Sequence, residues 1–181
     1  MIKRIVSTAC IIMILILVCS TPAFAARKLL SVTAVTQAQS MWCWAACDKS
    51  IIQFCKGSSP SQSDEATFLF GSPINQGATT DQIRSVLTNW QVSSSRQFNP
   101  LSYTSVVSQI NNDHPILTVL DPLSGAFHNN VIRGYDTSND TVLFFDPSNG
   151  SYHAQQYTKY CSGTHWDNQY YNWIHSIFSC Q

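Results

Sequence analysis

Hydrophobic positions along the chain follow two periods, and the change from one to the other falls near Pro115. Before it, Trp44, Cys47, Ile51, Ile52 and Cys55 recur at helical spacing behind Cys43, and Gly57 supplies a stop. Ser58-Ser59-Pro60 reads as a turn, after which Ser61 or Ser63 can cap a second short helix reaching about Phe70. Gly71-Ser72-Pro73 ends that helix. A third is predicted from Thr80, with Ile83, Val86, Leu87 and Trp90 on one face, and a fourth over Thr104 to Asn111.

Beyond Pro115 the signals are those of strands. Ile116 to Leu120, Asn130 to Tyr135 and Thr141 to Phe145 each read as one strand, and the turn formers of Asp136 to Asp140 make the last two a hairpin. From Ser148 onward the chain is dense in Tyr, Asn and Trp, and further sheet is expected there. A helical front half and a sheet-forming back half predict an α+β architecture with two lobes.

The N-terminus changes the picture of where this domain works. Lys3 and Arg4 precede an apolar run from Ile5 to Val18, and Ala23-Phe24-Ala25 offers small residues at alternate positions. This is the pattern of a secretory signal peptide over residues 1–25. The run is shorter than the roughly 20 apolar residues of a membrane span and ends in Ser20-Thr21-Pro22, so removal is expected rather than anchoring. The mature domain would cover 26–181, in the periplasm or secreted, with no stable membrane association. That length suits a single core.

Composition narrows the classes further. Of ten basic residues Lys3 and Arg4 leave with the signal peptide, so eight remain against ten acidic ones, a charge of about −2. No basic footprint for nucleic acid or an acidic lipid surface is present. Seven cysteines occur, and Cys10 and Cys19 also lie in the leader, which leaves Cys43, Cys47, Cys55, Cys161 and Cys180. An odd count in an exported protein suggests one free reactive thiol and up to two disulfides. None of the five pairs at CxxC spacing or clusters with histidines, so neither a metal nor another cofactor is expected.

On an unbroken first helix Cys47 and Cys55 would stand about 12 Å apart along the axis, against the roughly 7 Å a disulfide allows between α-carbons. The sequential pairing is therefore disfavoured. Bridges from this helix to Cys161 and Cys180 would staple the tail to it; alternatively Cys47 is a buried free thiol.

The most informative segment runs from Gln37 to Cys47, Gln-Ala-Gln-Ser-Met-Trp-Cys-Trp-Ala-Ala-Cys. A cysteine in the first turn of a helix meets the positive end of the dipole and unpaired backbone N–H groups. Both favour the nucleophilic thiolate. Ala45 and Ala46 behind it are small, and Gln37, six residues earlier, can donate to a developing oxyanion beside the backbone N–H of Cys43. Gln39 competes for that role. Downstream, His128 and Asp146 fall at the outer ends of adjacent antiparallel strands, where a carboxylate can bond one imidazole nitrogen and turn the other toward sulfur.

This arrangement resembles the papain-like cysteine peptidases, in particular the compact bacterial group of secreted effector proteases and bacteriocin-processing (double-glycine) peptidases. The likeness rests on Gln37 with Cys43-Trp44-Ala45, His128 opening a strand, the Gly134-Tyr135-Asp136 turn and Asp146-Pro147. It covers Gln37 to about Gly150. The chain departs from that group at Ala126-Phe127, where Gly-Gly or Gly-His is more usual, and only Ala26 to about Thr36 precedes the motif, too little for a long inhibitory propeptide.

The resemblance implies a hydrolase acting on protein or peptide, with Cys43 as nucleophile, His128 as base, Asp146 as the acid orienting it and Gln37 in the oxyanion hole. An amidase acting on cell-wall peptides, a papain-like binding module without turnover, and acyl transfer to an amine are the alternatives. His114, His153, His165 and His175 are expected to be structural or on the surface. Trp44 is expected in the buried helix face, while Trp42 is a possible substrate contact.

Overall fold

Cys43–Lys56 forms helix α1, and nine of its residues from Cys43 to Ile52 are buried, so it is covered on nearly every side. A helix so enclosed must be central. It lies against strand β4 (His128–Asp136) on one side and against helices α2 (Gln62–Phe70) and α3 (Thr80–Asn89) on the other. The architecture is that of a computed structural model in which residues 26–123 and 125–181 are described. The expected signal peptide over 1–25 lies outside them.

Local chemistry accounts for the helix ends. Gly57 takes φ 77°, a left-handed conformation that a residue with a side chain adopts only under strain, and its N–H returns to Gln53 O. Ser61, rather than Ser63, caps α2 in a reciprocal capping box with Asp64; Thr79 and Gln82 do the same for α3. Helix α4 (Tyr103–Asn111) begins one residue before the predicted position because Ser102 accepts from Ser105 N as its N-cap.

The sheet holds β2 (Ser95–Gln97), β8 (Tyr170–Phe178), β3 (Ile116–Asp121), β4, β5 (Thr141–Asp146) and β6 (Ser151–Gln156) in that spatial order, and every pairing is antiparallel. Two short strands extend it: β1 (Arg27–Leu29) on β4 and β7 (Ser162–Thr164) on β8. The fold is α+β, with most of the helices before most of the sheet, as the periodicity implied. Three pieces carry no clear sequence signal: β1, β2, and the one-turn helix α5 (Tyr157–Cys161) inside the expected sheet region. Each is three to five residues long, too short for a period to register. Gly134 makes room for β1, because a Cβ there would stand 2.6 Å from Lys28 O.

The tail is the largest surprise in the topology. β8, the last strand, does not sit at an edge but runs between β2 and β3, pairing Val119 with His175 and Leu120 with Trp173. A register shift between Val119 and Leu120 marks a bulge beside the rim where β4 starts.

Candidate active site

Three chain segments meet at one rim of the sheet: the N-terminus of α1, the first residue of β4 and the last of β5. They carry Cys43, His128 and Asp146 respectively. The ladder pairs His128 with Leu120 on one side, while across β5 its imidazole Nε2 meets Asp146 Oδ1 at 2.8 Å. That bond occupies Nε2 and leaves Nδ1 as the ring nitrogen available to sulfur.

Asp146 is held from several directions. Its Oδ1 also accepts from Ser148 N (2.9 Å) and Ser148 Oγ (2.8 Å), and its Oδ2 accepts from Trp166 Nε1 (3.1 Å). Burial opposes its charge, but the His128 bond and charge together with the Ser148 donors outweigh that and bring the carboxyl down to about 2. For His128, burial likewise opposes the charged ring, yet the bond to Asp146, a bond to Cys43 and the charges of both push it up to about 10. The surroundings thus favour an imidazolium facing sulfur and backed by a carboxylate.

Cys43 is largely buried but lines a cleft of about 680 Å³ together with Gln37, Trp44, Val119, His128 and His175. Its Sγ lies 3.4 Å from Asn129 Oδ1 and 3.9 Å from Phe127 O. No side chain caps α1, so its first-turn N–H groups stay unclaimed by side chains beside the sulfur. Lys, Arg, Asp and Glu are absent from the cleft lining among the described residues. Burial pushes Cys47, Cys55, Cys161 and Cys180 upward, which holds them in the unreactive protonated form.

Gln37 also lines the cleft, whereas Gln39 is exposed and outside it. The Gln37 amide Nε2 donates to Gln39 O and Ser40 O, both at 2.9 Å, so its hydrogens are engaged in the absence of substrate. Its backbone N–H donates to Pro147 O at 2.8 Å and ties the loop to the residue after Asp146. Gln62 braces the same loop, accepting from Ala38 N and donating to Thr36 O.

Residues 29–174 match the family model described as "Peptidase_C39 like family". The chain belongs to this family. It is a papain-like cysteine peptidase, a hydrolase. Among curated proteins none matches the chain. Solved structures share its fold at low identity. A C39-like peptidase from Bacillus anthracis superposes with a TM-score of 0.62 at 11% identity, over 86% of this chain and 98% of that one. The peptidase domain of Streptococcus ComA, a bi-functional ABC transporter involved in quorum sensing, gives 0.56 at 16% identity, over 83% and 99%. A double glycine motif protease from an AMS/PCAT transporter, in complex with the leader peptide, gives 0.56 at 12%, over 85% and 95%.

Several expectations for this C39-like peptidase need correction. Trp42 is 2% exposed and donates from Nε1 to Ile74 O, so it packs the helical layer and is not open to substrate. Trp44 is the tryptophan that lines the cleft. All five described cysteines are free thiols. Cys55 does approach the tail, but its Sγ faces the backbone carbonyl of Cys180 at 3.6 Å. Cys47 is a fully buried free thiol on the wholly enclosed stretch of α1. His175, expected to be structural or at the surface, bonds Thr80 Oγ1 through Nδ1 at 2.8 Å and also lines the cleft.

Asn129, Ser148 and Trp166 escaped the sequence reading. Ser148 was within reach of it, since an Asp two residues before a Ser commonly accepts from that residue's backbone in a turn. Trp166 stands 20 residues from Asp146 with no local signal to link them.

Proposed function

We propose that this C39-like peptidase hydrolyses peptide bonds through Cys43, His128 and Asp146, by way of a thioester. With its proton already held on His128 Nδ1, the sulfur of Cys43 adds to the substrate carbonyl carbon. The oxyanion is met by the Cys43 backbone N–H and by Gln37, once Gln37 turns one hydrogen away from its loop carbonyls. His128 then protonates the leaving nitrogen, the C–N bond breaks, and the acyl group stays on sulfur. Water, deprotonated by His128, attacks the thioester and releases the acid and the thiol.

The 2.8 Å contact between His128 Nε2 and Asp146 Oδ1 carries this reading, because it orients the ring toward Cys43. Peptide as substrate is supported by the cysteine peptidase family and by the leader peptide bound to one structural neighbour. Export is supported by the pattern of residues 1–25.

The test combines an epoxide thiol probe with a peptide library. The probe is expected on Cys43 and on none of the four other thiols, and Cys43→Ala is expected to cleave no peptide while unfolding at the wild-type temperature. Labelling at another cysteine, or cleavage by Cys43→Ala, overturns the proposal. Muropeptide digestion in parallel separates cell-wall peptides from proteins as substrate.

A further inference from the structure

Phe127 stands directly before His128 and is 57% exposed. Among the described residues it joins neither the hydrophobic core nor the apolar side chains packed against it. A lone exposed aromatic residue is ordinary on a protein surface, but this one lines the cleft that holds Cys43. Its backbone carbonyl lies 3.9 Å from Cys43 Sγ. With ordinary bond lengths, that puts the Phe127 α-carbon within about 6.5 Å of the sulfur. An extended peptide advances about 3.3 Å per residue. A substrate side chain that meets Phe127 therefore belongs to a residue within about two positions of the scissile bond.

The rest of the lining says what kind of side chain that is. Pro122 and Ala126 line the cleft with Phe127, and no Lys, Arg, Asp or Glu does so among the described residues. A charged substrate side chain laid there would shed water and meet no opposite charge. Several polar groups of the lining already have partners at 2.8 Å: Ser148 Oγ on Asp146, Tyr171 OH on Asp167, and Thr80 Oγ1 with His175 Nδ1. An apolar side chain needs no such partner, and it removes both its own surface and that of Phe127 from water.

We infer that Phe127 is a specificity-determining residue, and that the peptidase selects substrates with a large apolar side chain, such as Leu, Met or Phe, within two positions of the scissile bond. The inference deepens the reading of Cys43 as a peptide-cleaving nucleophile and rests on it. Phe127 takes no part in bond making; it contacts the substrate side chain.

The experiment offers a peptide library, with Leu, Phe, Ala, Lys or Glu fixed in turn at each position, to wild type, Phe127→Ala, Phe127→Leu and Phe127→Lys. Each variant is checked for wild-type thermal unfolding, which an exposed side chain should leave unchanged. Covering an exposed phenylalanine with an apolar partner favours binding by about tenfold. Wild type is expected to cleave Leu and Phe peptides with kcat/KM about tenfold or more above Ala, Lys and Glu peptides at one position within two of the cleaved bond. Phe127→Ala is expected to lose that factor for Leu and Phe peptides and to cleave Ala peptides as wild type does. Phe127→Leu should keep the apolar preference, and Phe127→Lys should exchange it for Glu.

No apolar preference at those positions, or an equal loss for Leu and Ala peptides in Phe127→Ala, overturns the inference while cleavage itself leaves the catalytic reading standing. Binding of the same peptides to Cys43→Ala, with and without Phe127→Ala, supplies a readout that needs no turnover. If wild type cleaves nothing, the catalytic reading falls, and tighter binding of Leu than Ala peptides that disappears with Phe127 still sustains the apolar subsite; binding that ignores Phe127 overturns it.

Discussion

The indole of Trp166 donates to Asp146 Oδ2 at 3.1 Å, on the carboxylate oxygen that His128 does not use. Trp166 is itself fixed by stacking, with His153 at 4.8 Å and 28° and Tyr171 at 6.3 Å and 8° between ring centroids and planes. The carboxylate that aligns His128 is thus held in place by the segment between β7 and β8. Trp166→Phe keeps a ring in the stack and removes the donor. A hydrogen bond to a charged group is worth about 1.5–3 kcal/mol, so kcat/KM is expected to fall about tenfold or more. Unchanged kcat/KM would show that Ser148 alone holds Asp146.

The His128–Asp146 pair has a defined pH window. His128, raised to about 10, contributes stability fully below its unfolded value of about 6.5, and this is lost as pH rises toward 10. Asp146, lowered to about 2, contributes above its unfolded value of about 3.9, and this is lost as pH falls toward 2. The pair is at full strength between about pH 4 and 6.5. The melting temperature of wild type should exceed that of Asp146→Asn most near pH 5, with the gap narrowing on both sides. Asp146→Asn should also keep more residual turnover than His128→Ala, since the acid only orients and stabilises the ring. A pH-independent gap, or the opposite activity ranking, contradicts the pairing.

For the oxyanion site, Gln37→Ala is expected to lower kcat by about 10²–10³ with little change in KM, the usual cost of one such donor. Gln39→Ala should leave kcat nearly unchanged, because its side chain is outside the cleft. Since Gln37 also bonds its own loop, thermal unfolding must be followed in both variants. A kcat loss in Gln37→Ala that tracks a loss of stability would assign the residue to the loop alone.

Asp48 on α1 and Glu65 on α2 are completely buried, and no hydrogen-bond donor among the described residues reaches any of their four carboxylate oxygens. Burial pushes both well up, and for Glu65 the Asp48 charge adds to it. A raised carboxyl binds its proton more tightly in the folded state, so stability is highest at low pH and falls as pH rises above the unfolded value of about 4.3. Glu65→Gln removes that cost. Its melting temperature is expected to exceed wild type by at least ~2 °C at pH 8, the scale of ~1 kcal/mol for a domain of this size, and by less at pH 4. Destabilisation at pH 8 would mean that the carboxylate has a partner that the amide cannot replace.

The amino-acid sequence by itself determined the parts of this peptidase that depend on near neighbours. The run from Trp44 to Cys55 and the stop at Gly57 specified α1 and set Cys43 in its first turn. Strand periodicity and the Asp136–Asp140 turn specified the hairpin that returns Asp146 to His128. These are signals of period and turn chemistry within a dozen residues or so. Tertiary structure alone decided what surrounds them. Trp166 reaches Asp146, and β8 inserts between β2 and β3 to bring Tyr171 and His175 into the cleft. Only the packing of α1 against β4 brings Asn129 to the sulfur, and only the folded loop shows that Gln37 donates to its own neighbours. The four other cysteines remain unpaired for the same reason. Whether two side chains meet across many residues depends on strand order, register and the volume between layers, and no local period encodes those.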